Sequence, residues 1–77
     1  MNLLNAPAKT ELVITAIHMD SKTLKRLAAL GVCLGASISI FESQWGASIV
    51  FVKDSKLALD HQTSKSIEVD VKEGGTL

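Results

Sequence analysis

The spacing of apolar and polar positions changes several times along this chain, and each change marks a boundary between elements. Between Glu11 and His18 apolar residues crowd together, with Leu12, Val13 and Ile14 in a run and Ala16 and Ile17 close behind. This is strand composition with imperfect alternation, and a bulge or strong bend would turn both Ile14 and Ile17 inward. From Ser21 the spacing becomes helical. Thr23, Leu24, Leu27, Ala28 and Leu30 share one side, and Lys22, Lys25 and Arg26 take the other. Asp20 or Ser21 is placed to cap the helix start. Gly31 stands where a helix end favours a left-handed residue. The period then shortens to two, as Ile38 and Ile40 alternate with Ser37 and Ser39 in a half-buried strand.

Glu42, Ser43, Gln44, Trp45 and Gly46 read as a polar hairpin loop. Residues 47–53 follow as a strand apolar on both faces, with Ile49 and Phe51 on one and Val50 and Val52 on the other. Such a strand is either central or carries a contact surface, and a dimer through it is left open. Asp54 and Ser55 predict a tight turn. Residues 56–60 predict a short strand with Leu57 and Leu59 inward and Ala58 outward. Residues 61–66 are wholly polar apart from their spacing and read as a turn or a single 3₁₀ turn. The cleanest alternation lies in 66–72, with Ile67, Val69 and Val71 inward and Glu68, Asp70 and Lys72 outward. Residues 1–10 form a lead-in in which Leu3 and Leu4 are candidates to dock on the body and Pro7 marks a turn. Residues 73–77 are expected to be a flexible tail.

These elements predict a mainly β domain with one or two short helices. Five short strands cannot leave one face of a flat sheet bare. A small barrel, with the helix plugging one end, covers that face most economically. One domain over 1–77 is expected, with its core in about 4–72.

Charge and composition narrow the functional classes. Eight basic and eight acidic residues balance, which argues against the basic stripe on which nucleic-acid affinity rests. With 47% hydrophobic residues the chain is too apolar for disorder. A lone cysteine, Cys33, forms no internal disulfide and suits a reducing cytoplasm. The N-terminal stretch lacks a basic signal-peptide region, and no apolar run reaches the length of a membrane span.

In order and spacing, the strand, the helix, Leu27-Ala28-Ala29-Leu30-Gly31-Val32 leading to Gly35, Ile38 and Ile40, Gly46 before Ile49, Leu57-Ala58-Leu59 and Ile67-Glu68-Val69 resemble ferrous iron transport protein A, the FeoA family. The pattern departs from the family at Leu34, where a proline is common, and at Ala8, Asp60 and the loop Gln44–Ser48. Those changes bear on loop-borne partner specificity more than on the fold. The resemblance implies an SH3-like barrel. It also implies a small cytoplasmic accessory of ferrous iron uptake, without enzymatic activity, that contacts a FeoB-type membrane transporter and modulates its GTPase. Such a protein would meet the membrane only through its partner. The rival expectation is a generic SH3-like adaptor related to the C-terminal domain of iron-dependent repressors.

The chemistry-bearing residues are sparse. His18, Asp20, Cys33 and His61 are the metal-ligand types that stand out, but they show no paired ligand spacing, so weak Fe²⁺ or Zn²⁺ binding is the most they offer and no cofactor is expected. Gly31 and Gly35 follow a helix and lead into a strand, the reverse of a phosphate loop. Cys33 follows a helix C-terminus, whose dipole opposes a thiolate. No triad or carboxylate pair can be assembled. The partner-binding candidates are therefore Lys22, Lys25 and Arg26 on the helix, Gly31 and Gly35 in the turn, and Trp45, either as an aromatic anchor or folded over a barrel end.

Overall fold

The computed structural model describes residues 1–44, 47–53 and 55–72. Among these residues, five antiparallel strands and two helices follow in the order β1 (Glu11–Ile17), α1 (Ser21–Ala29), β2 (Ser37–Gln44), β3 (Ala47–Val52), β4 (Ser55–Leu59), α2 (His61–Ser66) and β5 (Ile67–Val71). Their order in the sheet is β4-β3-β2-β1-β5. Strands β2, β3 and β4 follow one another as a meander, while β1 sits between β2 and β5. The end strands β4 and β5 are not paired with each other, so the barrel is incompletely closed. Helix α2 joins these two strands and packs against β3 and β5.

Alternation aims one face of every strand inward. Leu12 and Ile14 of β1, Ile38 and Ile40 of β2, Val50 and Val52 of β3, Leu59 of β4, and Ile67 and Val69 of β5 form the core with Leu3, Leu27 and Val32. Burying each such side chain contributes about 1.5–3 kcal/mol. The two faces of β3 thus resolve: Val50 and Val52 are packed inside, and Phe51 is exposed. Both edges of β3 are taken by β2 and β4.

Two irregularities bend the sheet. The β1–β5 register shifts between Ile14 and Ala16, and Ile17 packs half-buried against the core near the buried Ile14. This is the inward turn expected from the crowded apolar run. The β2–β3 register shifts between Ile40 and Glu42, leaving Phe41 as the extra residue.

Several expectations are corrected. Glu42, Ser43 and Gln44 belong to β2, opposite Ile49, Ser48 and Ala47, because backbone ladder bonds extend the hairpin beyond the last apolar residue. Val52 pairs with Ser55, so Ser55 opens β4 rather than closing a turn, and Lys53 enters the connection with a left-handed φ of 58°. Residues 61–66 form a helix, nucleated by Asp60: the Thr63 N–H donates to its Oδ1 at 2.8 Å and the Ser64 N–H to its carbonyl at 2.9 Å. Val71 is 45% exposed, since it lies past the last core residue of β5. Leu57 is half-buried rather than fully inward. Leu3 does dock on the body, as expected, and is fully buried. The Leu3 N–H donates to the Ile67 carbonyl at 3.1 Å and the Val69 N–H to the Met1 carbonyl at 2.7 Å, which lays residues 1–3 along β5. Trp45, Gly46, Asp54 and the tail 73–77 lie outside the described residues, and so do the readings attached to them.

Candidate interaction surface

Helix α1 buries only Leu27. Leu24 is half-buried, while Ala28 and Leu30 are exposed, so the helix leans on the barrel end instead of plugging it. Asp20 holds the N-cap position through its carbonyl, which accepts from the Leu24 N–H at 2.9 Å; its side chain makes no capping bond.

The helix ends in a Schellman arrangement. The Val32 N–H donates to the Leu27 carbonyl and the Gly31 N–H to the Ala28 carbonyl, both at 2.9 Å, with Gly31 at φ 95°. Buried Leu27 and Val32 supply the accompanying apolar contact. A tight turn follows at once. The Ala36 N–H donates to the Cys33 carbonyl at 3.1 Å, and Gly35 sits at φ 82° in the third position, which places Leu34 second. Proline is favoured at that second position when the third has positive φ. The turn is clipped to β1 by the Gly35 N–H on the Ile14 carbonyl (2.8 Å) and the Ile14 N–H on the Ala36 carbonyl (3.0 Å).

The leaning helix and the clipped turn leave a groove of about 420 Å³ along the end of β1. Thr15, Ala16, Ile17 and His18 form its strand wall, Leu24 and Ala28 its helix wall, and Val32, Cys33 and Leu34 its turn wall. Leu34 is 66% exposed. An apolar side chain this open, at the wall of an apolar concavity, is the usual mark of a binding surface.

The structure brings some of the expected site residues together. Gly31 and Gly35 shape the turn wall without offering side chains. Lys22, Lys25 and Arg26 are exposed on the same helix. His18 and Cys33 line the groove, but His18 Nε2 stands 3.5 Å from Glu68 Oε2, an ion pair only when the imidazole is protonated. His61 opens α2, in a different part of the chain. Among the described residues no three His, Cys, Asp or Glu side chains converge on a metal-sized space. Sequence reasoning missed Leu34, although a leucine between Cys33 and Gly35, in a turn where proline is favoured, was a signal that a large apolar side chain would be held out.

A curled five-stranded sheet with a helix leaning on one end defines a small SH3-like fold. The chain belongs to the FeoA family: the FeoA domain model matches residues 1–71. No curated protein matches it significantly. Among solved structures it is similar to the FeoA protein of Chlorobium tepidum, with a TM-score of 0.84 and 19% identity over 99% of this chain and 74% of that one. It is also similar to Stenotrophomonas maltophilia FeoA complexed with zinc, described as a prokaryotic SH3 domain protein, with a TM-score of 0.74 and 22% identity over 91% and 89%. The manganese regulator SloR carries the same fold in part of its length, with a TM-score of 0.80 and 14% identity over 94% of this chain and 34% of that one. Membership in the FeoA family associates the chain with ferrous iron transport. No helix among the described residues is long and apolar enough to cross a membrane.

Proposed function

We propose that the chain is a cytoplasmic, non-enzymatic accessory of ferrous iron uptake that works as one domain and without a cofactor. It docks on the cytoplasmic part of a FeoB-type transporter and so modulates the transporter's GTPase. The groove between α1 and β1 carries this reading. Its lining is largely apolar, Leu34 stands at its lip, and Lys22, Lys25 and Arg26 ride on the helix that walls it. An apolar side chain of the partner entering the groove supplies affinity, and an acidic surface opposite the three cations supplies orientation and on-rate.

The test is a titration of the isotope-labelled chain with the isolated GTPase region of a cognate transporter, followed by amide shifts. Shifts are expected at Ala16, Leu24, Ala28 and Gly31 through Leu34. Silence at high micromolar partner would reject docking of that region through this groove.

A generic adaptor is the second reading, favoured by the likeness to part of SloR. The same titration separates the two, since an adaptor for another protein leaves the transporter region unbound.

A further inference from the structure

A second concave surface shares no lining residue with the groove. It is a cleft of about 480 Å³ bounded by Lys9, Thr10, Glu11, Ser37, Ile38, Ser39, Phe51 and Lys53. At its margin Phe51 meets Phe41 edge-to-face, with ring centroids 5.6 Å apart and planes inclined at 77°. Phe41 is 41% exposed and Phe51 38%, so the pair is open to solvent on the outer side of β2 and β3. Lys56 lies across both rings, its Nζ 4.8 Å from the Phe41 centroid and 5.7 Å from that of Phe51.

Among the described residues, the charge around this cleft is one-sided. Glu11, the acid among its lining residues, is occupied by Lys72, whose Nζ stands 3.4 Å from Glu11 Oε2 and 3.2 Å from Ser37 Oγ. Among the described residues, Lys9, Lys53 and Lys56 form no ion pair. In a chain of zero net charge, Lys9 and Lys53 line the cleft and Lys56 stands beside it over the Phe41–Phe51 pair.

The backbone shows the same bias. Among the described residues, Lys9 and Lys53 are the non-glycine residues with positive φ, each at 58°. Glycine, asparagine or aspartate fits that conformation at less cost. Both strained positions border one cleft, and such strain gathers where a side chain must be held for binding.

We infer that this face binds an extended acidic segment of a partner protein, which places an apolar side chain against Phe41 and Phe51 and its carboxylates over Lys9, Lys53 and Lys56. Complementary charge selects the occupant. A single-stranded nucleic acid fits less well, because the balanced net charge provides little phosphate attraction. The inference is independent of the role proposed for the α1 groove.

The experiment titrates the isotope-labelled chain with a synthetic peptide of about twelve residues, mostly Glu and Asp around a central Phe-Leu pair, and with the same peptide carrying Lys for every acid. Shifts are expected at Ser39, Phe41, Phe51, Lys53 and Lys56 with the acidic peptide alone, and affinity is expected to fall as salt rises. Lys53→Gly removes a cation while relieving its backbone, so it is expected to weaken binding about threefold to tenfold without lowering the melting temperature. Lys56→Glu, on an exposed side chain, is expected to weaken it further. The inference is overturned by no shifts at millimolar peptide, by shifts confined to the α1 groove, by equal binding of both variants, or by an oligothymidine that moves the same amides at lower concentration.

Discussion

Gly31 and Gly35 look alike in the sequence and differ in the fold. Both have positive φ, which costs a side-chain-bearing residue about 1–2 kcal/mol. A Cβ on Gly31 would also stand 3.0 Å from Val52 Cγ1, whereas one on Gly35 meets nothing within 4 Å. Gly31→Ala is therefore expected to destabilise by more than Gly35→Ala, with the latter near about 1 kcal/mol. Urea melts of the two variants, compared at equal m-value, check the order. The left-handed turn at Gly31 was legible because it is a local demand of the helix end. The contact with Val52 was not, since β3 lies some twenty residues further along the chain.

At the scale of elements, α2 shows what a periodic pattern hides. His61–Ser66 contains no large apolar residue, and its one buried side chain is Ser64, whose Oγ donates to the Leu59 carbonyl at 3.4 Å. The helix depends on its cap. The Thr63 backbone N–H, and then its hydroxyl, hold the Asp60 carboxyl below its ordinary pKa. A depressed folded-state pKa means that the stabilisation is fully present above the unfolded value. It is lost as pH falls from about 4 through the lower folded value. Asp60→Asn keeps an acceptor for Thr63 but cannot titrate. Its melting temperature is expected to vary less with pH below about 4 than that of the parent, while Asp60→Ala melts lower at neutral pH. Thermal melts followed by circular dichroism across that range check both. Strands were easier to foresee: β1, β3 and β5 appear where their apolar runs placed them, and the Ile14–Ile17 bend follows from crowding within the run.

At the scale of the whole molecule, the buried core and the exposed groove separate in space. Ile40 is buried in the core, and Ile40→Ala is expected to cost about 2–5 kcal/mol. A chain of this length has about 4–12 kcal/mol in total, so that variant loses much of its reserve and its denaturation midpoint falls sharply. Leu34 acts in the opposite sense. Leu34→Pro suits the second position of its turn and is expected to raise stability by about 0.4–1 kcal/mol. It also removes the exposed leucine from the groove, and under the proposed function docking to the transporter's GTPase region is expected to weaken about tenfold, read by the same amide titration.

The sequence by itself determined what depends on near neighbours. Period-2 and helical spacing set most of the strands and α1, the helix end set Gly31, and the ordered run of motifs from Leu27 to Val69 was enough to resemble the FeoA family. Only the tertiary structure decided which exposed residues share a surface. Leu34 joins Ala16, Ile17 and Leu24 in one groove because the Gly35 N–H is clipped to the Ile14 carbonyl. Lys9 joins Lys53 and Phe51 in one cleft because β1, β2 and β3 lie side by side. Spacing along a chain reports which residues turn inward, because burial repeats with the local helix or strand. It carries no record of which outward residues meet, because that depends on strand order and register across the sheet.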